Sequence, residues 1–459
     1  MPGTRDDKID ESWFEDVFGF EEMSFEGTQE AFSYSSSSGL LSAQGRKKCF
    51  EVGPFETPTF SKLQALQAAT TRNLDGVAPG LTFKNIVAHT MDLHKDPANA
   101  RSIFQVASLF NCLETTNFYT RQDGLTRYAT EGTQGATCAL ACPYGTVFRN
   151  YFPEAFADNG INCLAAAADA LHNEAEGYWT MRRGHCLPRA TRSIERLSGL
   201  LLRKPETADL LRKHVQVGVH WDTQVVGAKH KVCQVFCPAC PVGLVKAVKA
   251  SDWAPFAREV LKSVYCSTLT VASIVAAQWR RRVKVFLTLI GGGILGNRLG
   301  WIHEAIEAAL AMHENSPLDV RLVHYSAVPA GSFFSNLEAG RAVMPGEIVE
   351  VAPKYPSLGL TQQLKNLGLD KPAQSNLERI RKAFHNFDAN GDGVIDRREF
   401  TALLQRIDKS FFTKGVIDCL ITCADADGDG VVHYVEFVSW ISNEDEDLVG
   451  RLLSEPEEK

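Results

Sequence analysis

The 459-residue chain has no overall excess of positive charge: 48 Lys and Arg face 55 Asp and Glu, a net of −7. No basic patch stands out along the sequence, and nucleic acid is excluded as an expected partner. The opening residues, MPGTRDDKIDESWFEDVFGF, contain no apolar core of a signal peptide. The apolar run at 283–295 is too short, and too closely preceded by Arg280, Arg281 and Arg282, to span a bilayer. No membrane span is therefore expected. Twelve cysteines without a secretory signal predict reduced thiols in a cytoplasmic protein. The pair Cys237-Pro-Ala-Cys240 lacks a second Cys or His pair at a recognisable spacing, and a zinc site needs four ligands. Its place after a strand partly fits a thioredoxin-like thiol pair; no redox cofactor is expected. His185-Cys186 lacks the setting of a nucleophile and reads as a buried thiol.

What is present is a composition ordinary for a folded chain of two or three domains, 44% hydrophobic and 22% charged. The acidity is uneven. Residues 376–459 carry 18 Asp and Glu against 10 Lys and Arg, a net of −8, which leaves +1 for the rest. Residues 1–45 form an acidic arm whose Trp13, Phe14, Phe18, Phe20 and Phe25 suit docking onto a body. A body follows at 46–352, a proline-bearing linker at 353–374, a helical module at 375–445 and an acidic tail at 446–459.

Within the body, strands are expected at 103–108, 215–219, 232–236, 285–290 and 320–323. His220-Trp221-Asp222-Thr223 falls at the end of the second of these. Helical patterns cover 162–173, 191–213 and 254–278, while 127–152 reads as a polar loop. Strands alternating with helices predict an α/β fold with a mostly parallel sheet covered on both faces.

The C-terminal module repeats one pattern. Asp388, Asn390, Asp392, Val394, Asp396 and Glu399 stand at positions 1, 3, 5, 7, 9 and 12 of a twelve-residue loop. Asp425, Asp427, Asp429, Val431, His433 and Glu436 repeat it 37 residues later. Ca²⁺ asks for side-chain oxygens at 1, 3 and 5, a carbonyl at 7 and a bidentate Glu at 12, with Gly393 and Gly430 at the sharp turn. This is the EF-hand pattern, and one paired lobe with two Ca²⁺ sites is expected. His433 at position 9 is the one departure. A target protein for the lobe is a possible partner.

The segment 284–325 reads strand, glycine loop, helix, strand. Gly291, Gly292, Gly293 and Gly296 present backbone with no Cβ in the way, and the following helix start favours an anion, most simply a phosphate. Gly291, Gly293 and Gly296 formally match the dinucleotide fingerprint. The second strand, however, runs into His324-Tyr325-Ser326, with no carboxylate for ribose hydroxyls. An NAD(P)-dependent oxidoreductase is thus a secondary reading.

VFLTLIGGGILGN at 285–297 and FQVASLFNCLE at 104–114 resemble the macrodomain and poly-ADP-ribose glycohydrolase group. The family's usual glycine triplet after the Asn loop is missing. The resemblance implies a macrodomain-like sheet and a ligand of the ADP-ribose class, free or on a protein. It also implies a diphosphate held at Gly291, Gly292, Gly293, Gly296 and Asn297. Asn111 and Gln134 would orient a ribose. Glu131 would be the first candidate for the carboxylate in hydrolysis of an ADP-ribosyl bond, with Glu114 and Asp222 behind it. Arg149-Asn150-Tyr151 could anchor a phosphate. Simpler readings stand beside these: Asn111 as a helix cap, Glu131 as a solvated loop carboxylate, Asp222 as a turn residue and Arg149 in an internal ion pair. The rival function is a non-catalytic, calcium-dependent protein-binding module.

Overall fold

The computed structural model describes residues 12–36, 38–44, 49–70, 77–114, 124–152 and 160–325, single positions between 328 and 338, and 394–396, 398–399, 401–402 and 432–433. The chain divides into two compact units, 1–354 and 355–459.

In the first unit, three short strands, β1 (Phe32–Ser35), β2 (Leu40–Ala43) and β3 (Cys49–Glu51), pair antiparallel in chain order. The main sheet takes β4 (Phe55–Glu56), β5 (Thr82–Val87), β6 (Ile103–Ser108), β9 (Gly218–Gln224), β10 (Lys231–Pro238), β11 (Val283–Leu287) and β12 (Leu318–His324). A separate hairpin, β7 (Trp179–Arg182) with β8 (His185–Pro188), sits between them in sequence. The order across the main sheet is β4-β9-β10-β6-β11-β12-β5. From β10 to β5 every pairing is parallel, and only β9 runs against its neighbours. The expected mostly parallel α/β sheet is therefore present.

The inner strands are buried on both faces, and their unbroken apolar runs reflect it. One face is covered by the helix Ala250–Trp279, against which Phe60–Thr70, Ser193–Arg203, Pro205–His214 and Leu299–Met312 pack. That long helix has the length and apolarity of a membrane span, yet 94% of its most apolar stretch is buried in the protein. Its Trp253, Phe256, Val260, Leu261, Val264 and Leu269 are fully enclosed, each burial contributing about 1.5–3 kcal/mol. The helices Thr90–Lys95 and Gln134–Ala141 meet each other, and the latter lies against β6.

Two expectations are corrected. Residues 127–152 are not a loop: a 3₁₀ turn at Thr126–Ala129 leads to helices Gln134–Ala141 and Pro143–Tyr151. Small residues (Ala136, Cys138, Ala139, Ala141) let the first helix approach closely and disguise it as polar chain. Thr133 caps it, accepting from Ala136 N–H at 3.3 Å, and Pro143 opens the second. The strand expected at 215–219 begins at Gly218 instead, so His220, Trp221, Asp222 and Thr223 lie within β9. Asp222 has φ 46° beside a register shift opposite Val232–Gln234, a bulge that re-aims its side chain.

The aromatic residues near the N-terminus are part of this unit. Trp13, Phe14 and Phe18 are buried with Phe32, Phe50 and Tyr144. Phe18 meets Phe32 edge-on at 5.0 Å, and Phe50 stacks on Tyr144 at 4.3 Å. The Glu22 carboxylate accepts from Leu125 N–H (2.6 Å), Thr126 N–H (2.7 Å) and the Thr126 hydroxyl (2.6 Å), and also from the Tyr151 hydroxyl. Trp13 Nε1 donates to the Thr126 carbonyl at 3.1 Å.

In the second unit, β13 (Val394–Ile395) pairs antiparallel with β14 (Val432–His433), with Ile395 opposite Val432. Those two residues are position 8 of each twelve-residue loop. Asp396 accepts from Arg398 N–H (2.7 Å) and Glu399 N–H (2.9 Å), while Glu399 accepts from Asp396 N–H (3.0 Å), a reciprocal cap on the exiting helix.

Candidate functional site

In an open parallel sheet, ligands gather at the carboxyl ends of the strands, where neighbours diverge. Here β11 pairs with β6 only opposite Ile103 and Phe104. Beyond that point the strands part. The segments leaving β6 (109–114), β10 (239–243) and β11 (288–298) follow these strand ends.

The loop after β6 folds on itself. Asn111 Oδ1 accepts from Leu113 N–H at 3.2 Å, a local turn rather than a helix cap, and Cys112 takes φ 57°. Its last residue, Glu114, is half-buried, with Oε1 enclosed and unpartnered among the described residues. Burial above all, then the negative charge of Glu131, pushes its carboxyl up to about 8, with Arg149 opposing. Glu131 is also raised, by burial, against the pull of Arg127. The structure thus brings Glu114 and Glu131 together and makes Glu114 the more perturbed of the two. Gly135, in the first turn of the adjoining helix, is what admits the Glu114 carboxyl: a Cβ there would strike Oε1. Tyr128 braces the same residue, its hydroxyl accepting from Glu114 N–H and donating to the Glu114 carbonyl, both at 3.1 Å.

Gln134 is placed differently from its expected role. Its Oε1 accepts from Ala107 N–H and its Nε2 donates to the Gln105 carbonyl, both at 2.8 Å. The amide mimics a strand where β11 has left β6, and both of its polar ends are engaged. It is a structural bridge in this fold, its amide turned to the β6 backbone. Asp222 also drops out of this group. It lies beside the amino-terminal start of β10, at the opposite end of the sheet from the loop bearing Glu114.

The glycine loop is only partly open. Gly291 (φ 71°) and Gly296 (φ 68°) need glycine for their backbone and for packing. A Cβ on Gly296 would lie 2.7 Å from Gly243 Cα, and one on Gly291 would lie 2.6 Å from Ala239 Cβ. Their close approach is to the loop after β10, where Gly243 N–H donates to the Leu295 carbonyl at 2.8 Å. Gly292 is half-buried, and a Cβ there would crowd Ile302 at 3.0 Å; Gly293 is exposed, with nothing within 4 Å of a Cβ. Asn297 is buried; its Nδ2 donates to the Cys240 carbonyl at 2.9 Å, and its Oδ1 has no protein partner among the described residues. It ties the glycine loop to the loop after β10.

Arg149 is the residue that sequence reasoning misplaced. It is 3% exposed with no carboxylate at ion-pair distance among the described residues, so the expected ion pair is not there. Its Nη1 lies 2.8 Å from His220 Nδ1. His220 Nε2 lies 3.2 Å from the Gly53 carbonyl, which fixes Nε2 as the protonated nitrogen and Nδ1 as acceptor. Burial and the Arg149 charge hold this imidazole neutral, well below its usual range. Arg149 also faces the Phe236 ring at 3.8 Å and donates to the Cys112 carbonyl at 3.4 Å. It is a fixed positive charge behind the loop bearing Glu114. The signal for it was Tyr144, Val147, Phe148 and Tyr151 at helical spacing.

Cys237 and Cys240 are both buried, with their thiols raised by burial, Cys237 to about 12. Cys237 lies 3.4 Å from Thr268 Oγ1. Buried thiols of this kind are unreactive packing groups. Among the described residues no three His, Cys, Asp or Glu side chains are grouped to hold a metal. Of the expected EF-hand ligands, Val394, Asp396, Glu399 and His433 fall in the described residues. Asp388, Asn390, Asp392, Asp425, Asp427, Asp429, Val431 and Glu436 lie outside them.

Residues 377–442 match the family model of the EF-hand domain pair. The C-terminal segment is accordingly an EF-hand pair, a calcium-binding module. No curated protein matches the chain in sequence. Among solved structures, the body is similar to poly(ADP-ribose) glycohydrolase from Deinococcus radiodurans in complex with ADP-ribose. The identity is 11%, with 62% of this chain and 94% of that one covered and a TM-score of 0.34. It is also similar to the glycohydrolase of Thermomonospora curvata bound to the inhibitor ADP-HPD, at 12% identity, 69% and 96% coverage and a TM-score of 0.32.

Proposed function

We propose that the body binds a nucleotide diphosphate of the ADP-ribose class at the carboxyl ends of β10, β6 and β11 and hydrolyses an ADP-ribosyl bond there. The observation that carries this reading is Glu114: a carboxyl whose Oε1 is enclosed and unpartnered among the described residues, raised by burial and by the neighbouring Glu131, on the loop where β6 and β11 part. Two carboxyls with different environments are what glycosidic cleavage requires. Glu114, protonated, donates its proton to the oxygen leaving the anomeric carbon as that C–O bond breaks. Glu131, ionised, accepts a proton from the water that attacks the same carbon. Asn111, whose Nδ2 is not used by its local turn, orients a ribose hydroxyl, and backbone at Gly292 and Gly293 lies against the diphosphate. In this proposal Glu131 keeps the water-activating role that the resemblance implies, and Glu114 joins it as the acid.

In the C-terminal unit we assign one Ca²⁺ to each loop. The pairing of Ile395 with Val432 joins the two loops at position 8, and Asp396 and Glu399 stand at positions 9 and 12 of the first, as ligation demands.

The test is calorimetric titration of ADP-ribose, with NAD as comparison, into the full chain with and without Ca²⁺, followed by release of ADP-ribose from a modified protein. The wild type is expected to bind ADP-ribose in preference to NAD and to turn over. Glu114→Gln is expected to keep binding and to lose turnover by about 10²–10⁴-fold. Absence of ADP-ribose binding in every condition would sink the proposal. One rival is favoured by a specific feature, the engagement of both ends of the Gln134 amide. Binding of ADP-ribose without turnover in any variant would make the body a non-catalytic reader.

A further inference from the structure

At the amino-terminal ends of the parallel strands, on the far side of the sheet from Glu114, three turns meet. The turn before β6 brings Arg101, the β9–β10 hairpin brings Asp222 and Lys229, and the turn before β11 brings Trp279 and Arg281. They border a cleft of about 580 Å³, within the range of small-molecule sites. The sequence shows no basic patch here because its cations come from three separate stretches of the chain, at 101, 229–231 and 281.

The Arg101 guanidinium lies 3.7 Å from the centre of the Trp279 ring, which is 41% exposed. Arg281 donates to the Ala100 carbonyl at 3.3 Å, which brings its guanidinium to the same rim. Lys231, also in the lining, is paired with Glu51. Among the described residues no carboxylate stands at ion-pair distance from Arg101, Lys229 or Arg281, and Asp222 is the only acid in the lining. Burial and the neighbouring Arg101 charge both lower the Arg281 pKa. The backbone is strained at the same place: Arg101 has φ 61°, Arg280 φ 48° and Asp222 φ 46°. Left-handed conformations at non-glycine residues are uncommon and gather where a site is built.

We propose that this cleft binds a small anion carrying two or more phosphates, with Arg101 and Arg281 as forked donors and Lys229 as a third cation. Guanidinium forks match phosphate oxygens in pairs. Mutually repelling cations with no carboxylate at ion-pair distance among the described residues are relieved by such a ligand. The site is separate from the crevice at the opposite strand ends.

The probe is pyrophosphate, titrated calorimetrically into the full chain. The expected result is one-to-one binding that weakens as salt is raised. Arg281→Glu lowers the affinity by at least about tenfold. Arg101→Gly removes the fork together with the strained side chain, so the melting temperature holds or rises while affinity falls. A purely structural role for Arg101 gives the reverse. Asp222→Asn keeps a residue tolerant of left-handed backbone, removes only the negative charge, and tightens binding. Gly293→Asp, at the other end of the sheet, leaves it unchanged. No binding of pyrophosphate, binding that survives both arginine changes, or binding lost in Gly293→Asp would each overturn the proposal. Sedimentation with phosphatidylcholine vesicles, with and without phosphatidylinositol bisphosphate, tells a lipid headgroup from a soluble anion as the source.

Discussion

A carboxyl that holds its proton in the folded state and releases it in the unfolded chain ties stability to pH. For Glu114 the unfolded value is about 4.3 and the folded value about 8. Its contribution to stability is therefore complete below pH 4, declines as pH rises toward 8 and is level beyond. Glu114→Gln is expected to raise the melting temperature relative to wild type at pH 9 and to leave it unchanged near pH 4; equal shifts at both values would contradict the assignment. Gly135→Ala is expected to destabilise by about 1–3 kcal/mol, because the added methyl displaces the carboxyl and meets the Ala107 carbonyl. Denaturant unfolding measures it. At this scale the sequence was only half legible. Both carboxylates could be nominated from their loops, but their ranking depended on burial, which residue type does not encode. Gln134 misled for the same reason: an amide in a polar stretch suits a ligand and a gap in a sheet equally well.

At the level of elements, strands with unbroken apolar runs were readable, and β6 was expected at 103–108, where it lies. The helix at Gln134–Ala141 was not, because alanine, glycine, threonine and cysteine carry little hydrophobic contrast, whereas Pro143–Tyr151 did carry a helical signal in Tyr144, Val147, Phe148 and Tyr151. The glycine loop was located correctly, but its glycines divide by use. Gly296→Ala has to accommodate a Cβ at 2.7 Å from Gly243 in a left-handed backbone, and a loss of about 1–3 kcal/mol is expected from thermal unfolding. Gly293→Ala meets nothing within 4 Å, so its unfolding should match wild type within about 0.5 kcal/mol. If the two variants melt alike, the loop does not pack as described.

For the whole molecule, the division between an α/β body and an EF-hand pair follows from two unrelated periodicities in one chain. A ligand that binds only the folded state stabilises it by mass action. Ca²⁺ at a hundred times its dissociation constant is expected to stabilise the EF-hand unit by about 2.7 kcal/mol. Replacing Glu399 and Glu436 by Gln should abolish that gain, which calorimetric scanning with and without chelator would show. What no periodicity could show was how the first residues enter the fold: aromatics signal burial without naming their partners. Phe18→Ala is expected to cost about 3–5 kcal/mol.

That burial also sets an order of events in time. The N–H groups that receive Glu22 belong to residues made about a hundred positions later, and the Tyr144 ring that closes over Phe18 comes later still. At a synthesis rate of about 5–20 residues per second, these aromatics wait roughly 6–25 seconds on the ribosome for Tyr144, with only early partners such as Phe32 and Phe50 at hand. During that interval the start of the chain is its stickiest part, and binding by a chaperone that recognises exposed aromatic segments would be strongest there.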